Sequence, residues 1–122
     1  MTDELKKTIE NHKKMWTYIK EHEEEYCWAP SIERRGILKS NYLFISGIID
    51  EPRNKCFLCE YAETMRRRSG AGSFMCEYCP CLWGSETKAS AFYCESYKEG
   101  CVIWGRSPAD DIINLPIKPE LL

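Results

Sequence analysis

Apolar residues recur at helical spacing near the start of the chain. Five positions separated by four, three, four and three residues lie on one face of an amphipathic helix: Leu5, Ile9, His12, Trp16 and Ile19. Thr2 before this stripe is a suitable N-cap, and the two acids that follow it favour the positive end of the helix dipole. The pattern predicts a helix that continues to about Tyr26 and ends before Pro30.

The next segment is more apolar and its period is less clear. Ser31 is predicted to cap a second helical segment, which Gly36 weakens. Between Ile37 and Ile49 most residues are apolar, and periodicity alone does not distinguish a buried helix from a strand. We favour a helix up to Gly47, followed by a turn at residues 50–54.

Two further short helices are predicted. One covers Cys59–Met65 and is ended by Arg66–Arg68 before a glycine-rich loop at residues 69–73. The other covers one or two turns within Asp110–Leu115, and the prolines behind it leave a short extended tail. The predicted fold is mainly α with little or no sheet: an N-terminal amphipathic helix, residues 1–29, packed on a core formed by residues 30–122 within one compact domain.

Cysteine spacing supplies the candidate chemistry. Cys56 and Cys59 form one C-x2-C pair, and Cys76 and Cys79 form a second pair a short distance along the chain. Two such pairs are the pattern of a tetrahedral zinc site, because each tight loop directs two thiolates at one ion. Four thiolates leave no open coordination position, so the expected zinc is structural.

The other thiols leave alternatives open. Cys81, Cys94 and Cys101, with Cys27 and the histidines, could form a second metal site, or one of them could replace a ligand of the main set. An even cysteine count in a short chain also allows disulfides. The N-terminal residues are polar and charged and do not contain the apolar segment of a secretory signal. We therefore expect reduced thiols and a cytoplasmic protein. No apolar stretch approaches the roughly 20 residues of a membrane-spanning helix.

Charge limits the choice of partner. The 122 residues carry a formal net charge of -2, which is not the balance of a typical nucleic-acid-binding protein. Arg66, Arg67 and Arg68 form a local basic run that either caps a helix C-terminus or contacts phosphates or an acidic partner. In the nucleic-acid alternative, Lys55 adds charge and Tyr61 or Tyr78 stacks on bases.

The histidines give little support to catalysis. His12 is expected to be a packed histidine with a backbone or water partner, although a role as metal ligand stays open. His22 lies in the acidic run Glu21–Glu25, which is either a solvated helix end or an acidic contact surface. No H-E-x-x-H, G-x-S-x-G or phosphate-binding glycine motif is present. We expect no enzyme activity and no catalytic residues.

Several of these motifs occur together in a known group. The chain has His12-x-x-Met15-Trp16, then the string Cys56–Ala62, then Cys76-x-x-Cys79-Pro80 followed by Trp83, and finally Ala109 to Pro116. This combination resembles small cysteine-rich proteins encoded by phages and prophages of Gram-positive bacteria. The resemblance implies a cytoplasmic accessory protein. This chain departs from that pattern in its apolar middle, in the added Cys81 and in its short last helix.

The resulting functional expectation is a non-enzymatic, zinc-stapled module. We expect this module to bind a host protein, such as a defence or regulatory factor, and to modulate that protein by inhibiting it. An exposed apolar patch, or self-association through the Tyr42–Ile49 segment, would fit this role. The alternative is a zinc-ribbon-like regulator that binds nucleic acid through Arg66–Arg68.

Overall fold

The computed structural model describes residues 1–47, 57–70, 78–81 and 108–122. These ranges contain four α-helices: α1 (Asp3–His22), α2 (Ser31–Ile45), α3 (Phe57–Ser69) and α4 (Ala109–Ile113). Short 3-10 helices cover Glu23–Tyr26 and Pro119–Leu121. Within the same ranges the extended pairing consists of one isolated antiparallel bridge between Cys81 and Ile117. The prediction of a mainly α protein is confirmed.

α1 is the central element, because it contacts α2, α3 and α4. Its predicted stripe is buried, and Met15 is buried with it. The other helices bury Leu38, Leu58 and Ile112 against this stripe in one hydrophobic cluster. Each fully buried side chain of this size contributes about 1.5–3 kcal/mol relative to an exposed one. Packing around α1 therefore accounts for the fold better than helix propensity does.

The two ends of α1 follow from its sequence. The hydroxyl oxygen of Thr2 accepts a hydrogen bond of 3.2 Å from the backbone N–H of Leu5, which confirms the predicted cap. At the other end the α-helix stops at His22 and narrows into the 3-10 helix Glu23–Tyr26. The helical segment thus ends where predicted, but its last turn is not α-helical. Acidic side chains oppose the dipole at a helix C-terminus, which disfavours a continued α-helix there.

α2 corrects one prediction and confirms another. Ser31 is not the cap: Pro30 occupies that position, and Ser31 is the first helical residue, with its Oγ accepting from Arg34 Nη2 at 2.9 Å. The helix passes through Gly36 and ends at Ile45, and Gly47 follows with a φ of 72°. Such a left-handed residue commonly ends a helix. The helical alternative is therefore right for residues 37–45, while residues 48 and 49 and the turn at 50–54 lie outside the described ranges.

The later elements differ in extent from the prediction. α3 is longer than Cys59–Met65 at both ends, and the three arginines form its last turn. α4 confirms a short helix before Pro116. The tail is not simply extended, because residues 119–121 form a 3-10 turn and the backbone N–H of Lys118 donates to the Pro80 carbonyl at 2.8 Å. This hydrogen bond and the adjacent bridge hold the tail against residues 78–81. None of the helices in the described part of the chain could span a membrane.

Candidate functional site

Two of the four predicted zinc ligands lie in the described part of the chain. Cys59 is half-buried in the first turn of α3, and Cys79 is 6% exposed. Both pack on the same hydrophobic cluster. Backbone N–H groups in the first turn of a helix stabilise a thiolate, so the position of Cys59 suits a metal ligand. Cys56 and Cys76, like Cys94 and Cys101, lie outside the described residues.

No three His, Cys, Asp or Glu side chains within residues 1–47, 57–70, 78–81 and 108–122 are arranged to hold a metal ion. The predicted set contributes only Cys59 and Cys79 to those ranges, so a metal site here has to be completed by residues outside them. Cys81, the added thiol, is buried and pairs through its backbone with Ile117. Cys27 is exposed and directly follows the 3-10 helix Glu23–Tyr26.

The arginine run lies in the last turn of α3, and carboxylates face all three side chains. Arg66 Nη2 and Arg67 Nε each donate to Glu63 Oε1 at 3.0 Å. Arg68 Nη1 donates to Glu4 Oε2 at 2.8 Å and so links α3 to α1. The hydrogen bond from Arg66, supported by Arg67, lowers the pKa of Glu63. The helix-capping interpretation of the run therefore agrees with its position.

One member of the run lines a cleft between α3 and the C-terminal tail. Arg68 shares this cleft of about 470 Å³ with Tyr61 and Tyr78, and Lys118 and Leu121 line it from the tail. Ser69 Oγ donates to the hydroxyl of Tyr78 at 3.0 Å, which ties Tyr78 to the end of α3. The structure thus brings together one of the predicted arginines and both tyrosines that were predicted to stack on bases.

α2 buries two cations beside its leucines Leu38 and Leu43 and leaves large apolar side chains exposed near its ends. Its cations Arg35 and Lys39 are only 5% and 2% exposed. Both lie against the ring of Trp16, with Arg35 Cζ 5.4 Å and Lys39 Nζ 5.2 Å from the ring centroid. Arg35 Nε also donates to Glu23 Oε1 at 2.6 Å. Cation–π contacts and a charge-assisted hydrogen bond compensate for this burial.

Large apolar side chains on and beside the same helix face solvent. Phe44 is 87% exposed and Trp28, just before α2, is 72% exposed. Ile45 follows Phe44, and Ile32 lies in the first turn of α2, four residues after Trp28; both are exposed as well. These four residues form two pairs, Trp28 and Ile32 at the start of α2 and Phe44 and Ile45 at its end, and are together called the α2 apolar surface below.

Acidic residues are frequent in the sequence on both sides of Trp28, between Lys20 and Arg34. Residues 21–33 contain five glutamates and neither lysine nor arginine. Glu23 is half-buried against Arg34 and Arg35. The remaining four, Glu21, Glu24, Glu25 and Glu33, are exposed. His22 Nδ1 lies 3.1 Å from Glu25. The acidic run is interpreted either as a solvated helix end or as a contact surface. The exposed Trp28 that follows it in the sequence favours the contact surface.

His12 is a structural residue of the core. Its Nε2 lies 2.8 Å from the carbonyl oxygen of Ile112, and the ring is buried between α1 and α4. This confirms the expectation of a packed histidine with a backbone partner. Burial lowers its pKa from 6.5 to about 4.

Comparison of the chain with protein-family models, with curated proteins and with solved structures gave no match.

Two features of these sites escaped the sequence analysis. Trp28 and Ile32 follow the acidic run, and an isolated exposed tryptophan carries no periodic signal. Lys118 joins the cleft only because the tail pairs with residues 80 and 81. A proline-rich tail gives no indication of that pairing, although a lysine between two prolines is a candidate for a fixed position.

Proposed function

We propose that this chain is a non-enzymatic accessory protein of phage type, which binds a host protein in the host cytoplasm and inhibits it. The observation that carries the proposal is that α2 buries the cations Arg35 and Lys39 while Phe44 on α2 and Trp28 just before it are exposed. Exposed large apolar patches on soluble proteins commonly mark interaction sites.

Folding stability does not account for this arrangement. Burying an exposed side chain of this size contributes about 1.5–3 kcal/mol, and the α2 apolar surface forgoes that gain. Burying Arg35 and Lys39 instead requires compensation by Trp16 and Glu23. A partner that covers the α2 apolar surface recovers the lost hydrophobic contribution, which supports a role in binding.

The charges beside this surface define the partner's chemistry. Four exposed glutamates lie in residues 21–33, around Trp28 and Ile32. A partner suited to this end has an apolar pocket for Trp28 with lysine or arginine side chains around it, since opposite charges steer association and fix orientation. Tryptophan is also a residue type that commonly carries a large share of binding energy.

A structural zinc ion belongs to the same proposal. Cys56, Cys59, Cys76 and Cys79 have the spacing of a closed tetrahedral site, and zinc in such a site holds a fold without an open coordination position. The helix start at Cys59 and the burial of Cys79 in the core support these residues as ligands. The ion would fix the second half of the chain against α1, which leaves α2 available for the partner.

Nucleic-acid binding through Arg66, Arg67 and Arg68 is the weaker candidate. Each of these side chains faces a carboxylate, Glu63 or Glu4, and the chain is acidic overall. A duplex or a long single strand requires several available cations along a groove.

Capture from lysates of Gram-positive bacteria tests the proposal. The baits are the tagged chain, a Trp28→Ser/Ile32→Ser variant, a Phe44→Ser/Ile45→Ser variant and a Lys6→Ser/Lys7→Ser control on the exposed face of α1. The proposal predicts one host protein that the parent and the control retain equally and that at least one α2 variant loses by tenfold or more. Recovery of the bait alone from several lysates would refute it, as would equal retention by all four baits.

A further inference from the structure

The cleft between α3 and the C-terminal tail has the composition of a small-molecule site. Its volume of about 470 Å³ lies within the range of about 300–1,000 Å³ that is typical of ligand pockets. Tyr61, Met65 and Arg68 follow one another at intervals of four and three residues on α3, so they share one face of that helix. Aromatic, apolar and cationic groups are therefore stacked along one wall.

The C-terminal tail forms the opposite wall. The Cys81–Ile117 bridge and the hydrogen bond from the Lys118 N–H to the Pro80 carbonyl fix the backbone there. Lys118, Glu120 and Leu121 line the cleft from this side. The site thus joins residues that are about fifty positions apart, and the backbone bridge between the tail and residues 80 and 81 holds it in place.

We propose that this cleft binds a mononucleotide, with the base against the half-buried Tyr78 and beside Tyr61, which is only 9% exposed, and with the phosphate at Arg68 and Lys118. Tyrosine rings stack on any base, and a guanidinium together with an ammonium suits a phosphate. The carboxylate of Glu120 provides an acceptor for the ribose hydroxyls. This inference is independent of the proposed protein partner, which contacts α2.

The pairing of Arg68 with Glu4 is compatible with a bound phosphate. The Arg68 pair is exposed on both sides, and exposed ion pairs are weak. A guanidinium also has five N–H donors, and Glu4 takes a hydrogen bond from Nη1. Arg68 can therefore donate to a phosphate while it keeps Glu4, or exchange one anion for the other.

A single nucleotide fits this cleft better than a strand. Of the three consecutive arginines, only Arg68 lines it, while Arg66 and Arg67 are directed to Glu63. Among the described residues that line the cleft, the two cations Arg68 and Lys118 match one phosphate, whereas a strand requires several cations along a groove.

Arg67 provides a matched control for Arg68. The two side chains are adjacent in the last turn of α3, are about equally exposed and each form one ion pair. Replacing either by glutamine removes one positive charge from the same turn, so a general electrostatic effect must act on both variants alike.

Calorimetric titration of the purified chain with AMP, UMP, adenosine, inorganic phosphate and a 12-nucleotide oligothymidylate tests the proposal. We expect AMP or UMP to bind, and adenosine and phosphate each to bind at least tenfold more weakly. Arg68→Gln and Tyr78→Leu should each weaken nucleotide binding at least tenfold, and Arg67→Gln less than twofold. Melting curves establish that the variants are folded.

Four outcomes would overturn the inference. The first is the absence of binding by both AMP and UMP. The second is equal loss in Arg67→Gln and Arg68→Gln, which would indicate only a general charge effect. The third is phosphate binding as tight as that of the nucleotides. The fourth is oligothymidylate binding more than tenfold tighter than either nucleotide, which would indicate a strand site.

Discussion

His12 Nε2 donates a hydrogen bond of 2.8 Å to the carbonyl oxygen of Ile112, which joins α1 to α4 across 100 residues of sequence. A carbonyl oxygen only accepts, so the proton lies on Nε2 and the ring is the neutral tautomer. The other ring nitrogen, Nδ1, is buried and has no hydrogen-bond partner among the described residues. Protonating this ring would place a charge in the core next to Trp16 and Lys39.

Acid should therefore destabilise the fold through His12. The ring titrates near 6.5 when unfolded and near 4 when folded. Below pH 6.5 the unfolded state binds the additional proton, so stability falls as the pH falls from about 6.5 to about 4, and this contribution then levels off. The loss is about 3 kcal/mol in total. Urea unfolding at pH 7.5, 5.5 and 4.5 measures it.

His12→Gln separates this effect from carboxylate titration. The glutamine amide can still donate to Ile112 but does not titrate. The difference in unfolding free energy between parent and variant should shrink or change sign as the pH falls, because the other titrating groups cancel. A constant difference from pH 7.5 to 4.5 would show that His12 is not the group responsible.

Removing the Glu23 carboxylate should destabilise the α1–α2 packing. Glu23 faces Arg35, whose side chain is almost fully buried. Glu23→Ala should cost about 3 kcal/mol, because breaking a buried pair leaves one charge without its partner. Glu24→Ala, an exposed neighbour, should stay within about 0.5 kcal/mol of the parent. Chemical denaturation of the two variants gives the comparison.

A second substitution tests the reason for that cost. In a Glu23→Ala background, Arg35→Met replaces the buried cation with an apolar side chain that can still pack on Trp16. The double variant should be more stable than Glu23→Ala alone. If it is less stable, the stem and cation–π contact of Arg35 matter more than its charge pair.

Two glycines of the α2 segment should respond in opposite directions to alanine. A Cβ atom at Gly36 would meet nothing within 4 Å, so Gly36→Ala should stabilise the helix by about 0.5–1 kcal/mol. Gly47 has a φ of 72°, and alanine there should cost about 1 kcal/mol. Thermal melts of both variants check the sign, and equal shifts would contradict the assigned end of α2.

Removal of predicted zinc ligands should affect metal content and folding together. Zinc in a small structural site contributes on the order of 10 kcal/mol, comparable with the total stability of about 5–15 kcal/mol of a small domain. Cys56→Ser and Cys79→Ser should each lose stoichiometric zinc by elemental analysis and helical signal by circular dichroism. Cys27→Ser, at an exposed position, should change neither.

Cys81 is the control that separates burial from ligation. It is even less exposed than Cys79 but lies outside the predicted ligand set. Cys81→Ser should keep the zinc with a modest loss of stability. Loss of zinc in Cys81→Ser but not in Cys79→Ser would place Cys81 in the site, and damage from Cys27→Ser would contradict the ligand set altogether.

The sequence predicts α1 well because one hydrophobic stripe dominates its packing. The stripe from Leu5 to Ile19 is buried as expected, and so is the histidine within it. The predicted stripe omits Met15, although Met15 lies three residues after His12 and four before Ile19 and is buried with it. α1 contacts three other helices, and a helix so enclosed buries a wider face.

α2 shows why periodicity was insufficient in the middle of the chain. Its buried face contains Arg35 and Lys39, while Ile32, Phe44 and Ile45 are exposed. Because the same face also buries Leu38 and Leu43, hydrophobicity follows burial only in part along this helix. The side chains that stabilise the buried cations, Trp16 and Glu23, belong to α1 and to the 3-10 helix after it. The sequence of α2 alone therefore does not predict these contacts. The cleft beside Lys118 likewise depends on a contact between distant segments, the pairing of the C-terminal tail with residues 80 and 81.

The account's central claim is that the α2 apolar surface is retained for a partner and not for folding. The most direct measurement compares the amount of host protein captured per bait by the parent and by a variant with serine at positions 28, 32, 44 and 45, after both show equal thermal stability. The account predicts a loss of at least tenfold in the variant. Equal capture by the two baits, or unfolding of the variant under the conditions of capture, would contradict it.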